Sequence, residues 1–281
     1  MNNVKTVGLL AFMSVLLVLV AQATGISATG AFIFAAIFNL GAYFFSDKIA
    51  LAASRARAVE EHELPQVYGI VRRLAMMADM PEPRIYVIDS LQPNAFATGR
   101  SPRHAAIAVT TGILQVMTNE ELEGVLAHEL SHVKNRDILI SSIAAMLAAT
   151  LTILARMAFW FGGSRDRNNP FGAIGAILAL IVGPIAAMFI RFAISRAREY
   201  QADASGAAIT GQPMRLASAL EKIGAATARI PMNVNPAVSQ LYIENPLKAV
   251  RGRGIMNLMS THPPIEDRIA RLERMAYGPI N

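Results

Sequence analysis

Residues 128–132 read His-Glu-Leu-Ser-His, and both the fold and the chemistry can be inferred outward from them. On an α-helix, residues four positions apart lie on one face, so His128 and His132 can reach one metal ion while Glu129 lies beside a water on that ion. The chain has five histidines in 281 residues, so the chance of this pattern arising at random is well under about one per cent. The motif predicts a helix in a zinc-dependent hydrolase, and a surface helix that merely carries these residues is the alternative.

A third zinc ligand must come from elsewhere, because catalytic zinc sites use three protein ligands and keep one position open for water. The chain has no cysteine, which leaves His, Asp or Glu as ligands. Glu199 is the best candidate, since it lies in the segment Arg196 to Asp203, shortly after the long apolar run at residues 168–190. Asp203 lies one helical turn later and could accept a hydrogen bond from a ligating histidine. A solvent-exposed helix face of Arg and Glu pairs is the alternative for this segment.

The composition indicates a membrane protein. Hydrophobic residues make up 53% of the chain and charged residues 16%, against roughly 25% charged in soluble domains. No charge occurs between Thr6 and Ser46, a run of 41 residues, which is about twice the ~20 that a helical span requires. This run predicts a helical hairpin with a turn at residues 24–30, and with spans near Val7 to Ala23 and Ala31 to Phe45.

Two further uncharged runs, residues 138–155 and 168–190, predict a second hairpin and hence about four transmembrane helices. Buried core helices of a soluble protein are the alternative, more so here than for the first hairpin. Lys and Arg cluster on one side of the four spans, and the other side has Arg165 and Arg167, with Arg156 interrupting the far end of the third span. Because short cytoplasmic loops are enriched in positive charge, both termini and the 128–132 helix are predicted to face the cytoplasm from a plasma (inner) membrane.

The net charge of +6 could suggest nucleic acid as a partner. The basic residues lie beside the spans rather than among aromatic residues, so anionic lipids of the bilayer are the expected partner instead. The chain divides into a hairpin, a polar part with the 128–132 helix, a second hairpin and a helical part with the third ligand. Their bounds are residues 1–46, 47–137, 138–190 and 191–281.

Local patterns predict the elements of the polar parts. Short strands bounded by turn residues are predicted at Arg84 to Ile88, Asn94 to Thr98 and His104 to Thr110. Thr118 and Glu121 form a capping box whose helix is predicted to continue to about Asp137. Amphipathic helices are predicted at residues 64–78 and 213–226, and a last helix is predicted to open at Pro263-Pro264 and to stop at Gly278. Residues 229–257 have no period and are a candidate for a mobile flap. The fold class is therefore an α-helical integral membrane protein with a cytoplasmic α+β domain.

Three motifs in this order resemble the HtpX family of membrane zinc metalloproteases. They are residues 128–132, residues 195–203 (Ser-Arg-Ala-Arg-Glu-Tyr-Gln-Ala-Asp), and residues 260–264 (Ser-Thr-His-Pro-Pro) followed by Arg268. Residues 94–99 (Asn-Ala-Phe-Ala-Thr-Gly) are also similar to the family's strand upstream of the metal helix. The resemblance covers nearly the whole chain. It implies a zincin-like (gluzincin) metalloprotease domain and a role in degrading damaged or misassembled membrane proteins under stress.

By this resemblance, one Zn²⁺ per chain would be held by His128, His132 and Glu199, with Glu129 as the catalytic glutamate. Asp203 would bind a ligating histidine.

A substrate would lie extended along the upstream strand, so Asn94, Ala95 and Phe96 are predicted to bind it through main-chain hydrogen bonds. His262 could approach the site and donate to the oxyanion, with a helix-capping or structural role as the alternative. Arg268 is expected to form a structural ion pair.

Two other functions remain open from the sequence. A CAAX-type prenyl protein peptidase would share these motifs, although about four spans argue against its larger helical chamber. A non-catalytic membrane scaffold with a structural zinc would tolerate loss of Glu129, whereas a protease would not.

Overall fold

The computed structural model describes residues 7–8, 10–15, 17–18, 27–144, 196–235, 238–247 and 263–278. The helices with defined bounds are α1 (Ala28–Ala53), α2 (Pro65–Met77), α3 (Thr111–Val116), α4 (Asn119–Lys134), α5 (Arg196–Thr210), α6 (Pro213–Thr227) and α7 (Ile265–Tyr277). The strands are β1 (Arg57–Ala58), β2 (Arg84–Ile88), β3 (Ala95–Gly99) and β4 (Ala105–Thr110). Most of the predicted second hairpin, and His262, lie outside the described residues.

Helix α1 is long and apolar enough to cross a membrane, and it is the one such helix in the ranges just given. Its large apolar side chains point outward, as a lipid environment requires: Phe32, Ile33, Phe34, Ile37, Leu40, Phe44, Phe45 and Ile49. It packs against the preceding apolar segment, where the Asn39 amide donates to the Ser14 hydroxyl at 2.6 Å. Such polar contacts between helices are favoured in an apolar surrounding.

The same helix continues beyond the predicted end of the second span at Phe45. It runs to Ala53. Its first acidic residue, Asp47, is buried within the protein and accepts a hydrogen bond from Arg84 on β2 at 3.1 Å. Helix α1 therefore passes without a break from the apolar region into the polar domain.

The sheet is mixed, with the strand order β1-β2-β4-β3. Strands β2 and β4 are parallel, whereas β1 pairs with β2 and β3 with β4 in antiparallel fashion. The predicted strand at residues 84–88 has the observed bounds, and the other two each begin one residue later than predicted. Strand β1 has only two residues and hence no alternation from which to predict it. This order leaves β3 as an edge strand.

Both faces of the sheet are buried. Along β4, Ala105, Ile107 and Val109 pack with the helices α2, α4 and α6, and the alternate residues Ala106 and Ala108 pack on the opposite side. This alternation is the two-residue period of a strand. The second side is covered by the carboxyl end of α1 and by residues 238–247.

Helix α4 begins as predicted and ends earlier. Both hydrogen bonds of the capping box between Thr118 and Glu121 are present. The predicted continuation to Asp137 is wrong: the helix ends at Lys134, and Arg136 adopts a left-handed conformation with φ 57°. A new helical segment begins at residue 137. The chain thus changes direction directly after the two histidines.

Candidate metal centre

Three potential ligands converge on one point. His128, His132 and Glu199 each offer a ligand atom, and these atoms lie within 4.8 Å of one another. The two Nε2 atoms are 3.2 Å apart, and the Glu199 carboxylate oxygens lie 3.9 Å from His128 and 3.5 Å from His132. The predicted ligand set is therefore brought together by the fold.

A close crossing of α4 and α5 produces this convergence. Glu199, Asp203 and Gly206 are spaced four and three residues apart, so they share one face of α5. At Gly206 a side-chain carbon would lie 2.9 Å from the main-chain nitrogen of His128. Only glycine allows the two helices to approach so closely, and this approach carries Glu199 to the histidines.

Each histidine is oriented by an aspartate through its other ring nitrogen. Nδ1 of His128 lies 2.9 Å from Asp203, and Nδ1 of His132 lies 3.2 Å from Asp137. These bonds leave both Nε2 atoms directed at the metal position, the usual way in which ligating imidazoles are fixed. Asp203 was predicted for this role and Asp137 was not, because Asp137 reaches His132 only through the turn at Arg136.

Arg268 on α7 completes the support of His128. Its guanidinium binds Asp203 through two bonds, Nε to Oδ2 at 2.9 Å and a terminal nitrogen to Oδ1 at 2.7 Å. Burial alone would raise the pKa of Asp203, but the charge and hydrogen bonds of Arg268, with the bond from His128, hold that pKa well below its usual range. Arg268 is fully buried and forms the ion pair that the sequence indicated.

Glu129 is buried beside the ligands, and its carboxylate accepts a hydrogen bond from the main-chain N–H of Ala97 on β3. Burial raises the pKa of this carboxyl group, and the charge of Glu199 adds to the effect against the opposing influence of the two histidines. A raised pKa makes the carboxylate a better acceptor for a proton from water.

In His132 the charged form is favoured, whereas in Glu129 the neutral form is favoured. Burial lowers its pKa, but the hydrogen bond to Asp137 and the charges of Glu199 and Glu129 outweigh burial and raise the pKa to about 9. A cation at this position is therefore strongly favoured by the surrounding carboxylates, and a metal ion supplies that charge when it replaces the proton.

The donor set fits zinc. Two imidazole nitrogens and one carboxylate are a known catalytic zinc set, and bond lengths of 2.0–2.2 Å in a tetrahedron separate ligand atoms by roughly 3.3–3.5 Å. The two imidazole nitrogens, 3.2 Å apart, are close to that spacing, and the Glu199 oxygens lie 3.9 Å from His128 and 3.5 Å from His132, near enough for the carboxylate to share one ion with them.

The predicted substrate residues lie at the edge of the sheet beside this centre. Asn94 is buried and its side chain binds main-chain groups of Glu244. Ala95 directs its carbonyl away from β4, toward the outer edge. The Phe96 ring is buried against Tyr242 on the far face of the sheet, with the two ring centroids 4.9 Å apart.

A small cavity of about 30 Å³ lies over the ligands. Its wall includes Glu129, Ala97 and residues 240–243. This last segment belongs to the predicted flap at residues 229–257, and nothing in its pattern indicated that it would contact the site.

Buried metal ligands, with a glutamate beside them on the helix that carries the two histidines, define a metallopeptidase centre.

Comparison with known proteins agrees with this geometry. The family model described as Peptidase family M48 matches residues 61–276. A protease HtpX homolog of Thermodesulfovibrio yellowstonii is 51% identical over 98% of this chain and 99% of its own length. One of Syntrophobacter fumaroxidans is 50% identical with the same coverage. The chain therefore belongs to the HtpX-type metalloproteases of peptidase family M48, which confirms the resemblance seen in the sequence.

A solved structure shares the fold. The crystal structure of S. mikatae Ste24p has a TM-score of 0.53 and 18% identity, and the similarity covers 97% of this chain and 65% of that one. The chain thus spans about two thirds of that larger protein.

Proposed function

We propose that this metalloprotease is a zinc endopeptidase that cleaves damaged or misfolded membrane proteins at the cytoplasmic face of the plasma membrane. The observation that carries the proposal is the set of three ligand atoms within 4.8 Å, next to the buried carboxylate of Glu129. Recognition through main-chain groups of the edge strand β3 accepts many sequences, which suits an enzyme of loose specificity. Helix α1, the candidate membrane span, ends in the cluster on the far face of the sheet and so would keep the site near the bilayer.

In this mechanism, bound zinc would polarise the peptide carbonyl and acidify a water molecule. Glu129 accepts the proton of that water and later delivers it to the leaving amine, which its raised pKa favours. The N–H of Ala97 holds the carboxylate in place between the two transfers. Asp203 and Asp137 keep the imidazoles of His128 and His132 oriented throughout.

Glu129→Gln separates catalysis from metal binding. We expect the variant to keep its zinc and to lose about 10²- to 10⁴-fold in kcat/KM on unfolded casein and on a heat-damaged membrane protein, because the amide cannot accept the proton. Zinc content and cleavage are measured on the same preparation. Glu120→Gln is the matched control, since it makes the same change on an exposed residue of α4. Full cleavage by a zinc-loaded Glu129→Gln protein would contradict the proposal and favour a structural zinc.

Glu199→Ala tests the third ligand. We expect the purified variant to contain far less than the one zinc per chain of the parent, because two histidines alone leave the site one ligand short. Glu221→Ala, on α6, is the control. Metal analysis that also covers cobalt and manganese identifies the ion, since nitrogen and oxygen ligands accept all three. Unchanged metal occupancy in Glu199→Ala would refute this ligand.

A further inference from the structure

The outer edge of β3, next to the metal centre, is already occupied by the chain itself. The Asn94 carbonyl accepts from Thr110, which immediately follows Val109 in the β3–β4 register, so Asn94 faces β4. Main-chain groups alternate along an antiparallel strand, and those of Ala95 and Ala97 therefore face outward. The outward carbonyl of Ala95 accepts from the N–H of Ile243 at 2.9 Å.

Side chains beside β3 hold the same segment by its main chain. The Asn94 amide donates to the Glu244 carbonyl at 2.8 Å and accepts from the Glu244 N–H at 3.4 Å. The Gln92 amide donates to the carbonyl of Pro246 at 3.1 Å. These hydrogen bonds involve the main chain of the segment and none of its side chains. They are the kind of contact that would hold an extended peptide.

The segment is also fastened to the metal centre and to the sheet. Arg268, which binds Asp203 beside His128, donates a further hydrogen bond to the Ile243 carbonyl at 3.2 Å. Tyr242 is buried and meets the Phe96 ring edge-on at 4.9 Å. One arginine thus joins the covering segment to the support of a metal ligand.

With the segment in this position, the space over the ligands is too small for a peptide. The cavity measures about 30 Å³. Pockets that enclose organic ligands have volumes of roughly 300–1,000 Å³. Among the described residues, 240–243 form the wall of this cavity beside β3, so they would have to move for a polypeptide lying along that edge to reach Glu129 and the ligands.

We propose that residues 238–247 form a strap that closes the active site of the resting enzyme by occupying the substrate edge of β3, and that the strap is displaced when a substrate binds. This inference rests on the proposed function, since it concerns how a peptide reaches that site. A substrate has to compete with the strap for the edge of β3, and this competition would favour unfolded chains. Only a long extended stretch can replace both the main-chain bonds that the strap makes and the packing of Tyr242.

Hydrogen exchange tests the displacement directly. The full-length Glu129→Gln protein, loaded with zinc in detergent, is measured with and without unfolded casein, and wild-type cleavage of casein is measured in parallel. We expect casein to accelerate exchange of the amides of residues 240–244 by about tenfold or more, because the strap opens, and to slow exchange in β3.

Two other results would contradict the inference. Casein cleavage by the wild type together with unchanged or slower exchange in residues 240–244 would show that the strap is a fixed wall of the cleft, which overturns this inference alone. No cleavage of casein by the wild type would overturn the proposed function and this inference together.

A pair of variants gives a second measurement. Tyr242→Ala removes a packing side chain of the strap itself, whereas Ile88→Ala removes packing from the β2 side of the same cluster. When the strap is open in only a small fraction of molecules, the apparent affinity for substrate falls in proportion to that fraction. We therefore expect Tyr242→Ala, which favours the open strap, to raise kcat/KM on casein about fivefold or more over Ile88→Ala. An equal or lower value would contradict the strap.

Discussion

At the residue scale, the metal centre depends on carboxylates that do not bind the metal. Asp203 and Asp137 each accept from one histidine, and Arg268 holds Asp203 in turn. The two aspartates differ in surroundings. Asp203 is paired with a fully buried arginine, whereas Asp137 lies at the start of the helical segment that follows α4.

Asp203→Asn and Asp137→Asn test these two supports. We expect each to weaken zinc affinity by about 10- to 100-fold, as is usual when a ligating histidine loses its partner. Asp203→Asn should also lower the free energy of unfolding by about 3–5 kcal/mol, because it removes the carboxylate that is hydrogen-bonded to the buried Arg268 and leaves only the charges of Glu199 and Glu244 to act on it. Zinc titration and thermal unfolding measure the two effects.

Asp267→Asn, an exposed change next to Arg268, is the control for both variants. Zinc affinity in Asp203→Asn and Asp137→Asn equal to that of Asp267→Asn would contradict the orienting role.

The site was predictable from the sequence where it depends on local spacing. His128, Glu129 and His132 follow from a helical period, and Glu199 and Asp203 from a second motif with the same period. Asp137 could not be predicted, because it reaches its histidine through a left-handed residue that is not glycine. The strap could not be predicted either, since its hydrogen bonds join residues about 150 positions apart: the Ile243 N–H donates to the Ala95 carbonyl, and the Asn94 side chain binds main-chain groups of Glu244.

At the element scale, the crossing of α4 and α5 sets the distance between the ligands. Gly206 lets the two backbones touch at His128, and Gly124, one turn earlier on α4, does the same against Leu216 of α6. The 128–132 helix is thus held between α5 and α6 by two glycine contacts that lie one turn apart along α4.

Gly206→Ala tests the crossing. The added carbon would lie 2.9 Å from a main-chain atom of His128, which cannot move aside cheaply. We expect a loss of about 1–3 kcal/mol in stability and weaker zinc binding, because α5 and Glu199 are pushed away. Thermal unfolding and zinc titration provide the measurements.

Gly69→Ala, on α2, is the matched control, since nothing lies within 4 Å of its added carbon. The control should gain about 0.5–1 kcal/mol from better helix propensity. A Gly206→Ala protein as stable and as zinc-avid as Gly69→Ala would show that the crossing tolerates a wider separation.

Element prediction succeeded where alternation or capping was strong. The strand at residues 84–88 and the start of α4 were predicted correctly, because an apolar run between turns and a capping box are local signals. The end of α4 was missed, since Arg136 adopts a conformation that its residue type disfavours.

At the scale of the whole molecule, the structure describes one helix able to cross a membrane, and the prediction of about four spans stays a prediction. The predicted orientation places the polar domain and the turn at residues 24–30 on opposite sides of the bilayer. The contact between Ser14 and Asn39 agrees with a pair of neighbouring spans at the amino terminus.

Single-cysteine labelling tests this topology without background, because the chain contains no cysteine. Met76→Cys lies on the exposed surface of the polar domain, and Ala28→Cys lies at the start of α1. We expect a membrane-impermeant maleimide to label Ala28→Cys in intact spheroplasts and Met76→Cys only in inside-out vesicles. Labelling of both positions from the same side would rule out the orientation.

Because α1 is continuous, its length would set the distance between the membrane and the active site. Its 26 residues measure about 39 Å, and a hydrocarbon core takes up about 30 Å of that length when the helix stands upright. The remaining ~9 Å carry Ala50 and Leu51 into the cluster beneath the sheet. In the proposed topology, one continuous helix would set the height of the cleft above the lipid, and the substrate segments within reach would be those that emerge close to the membrane surface.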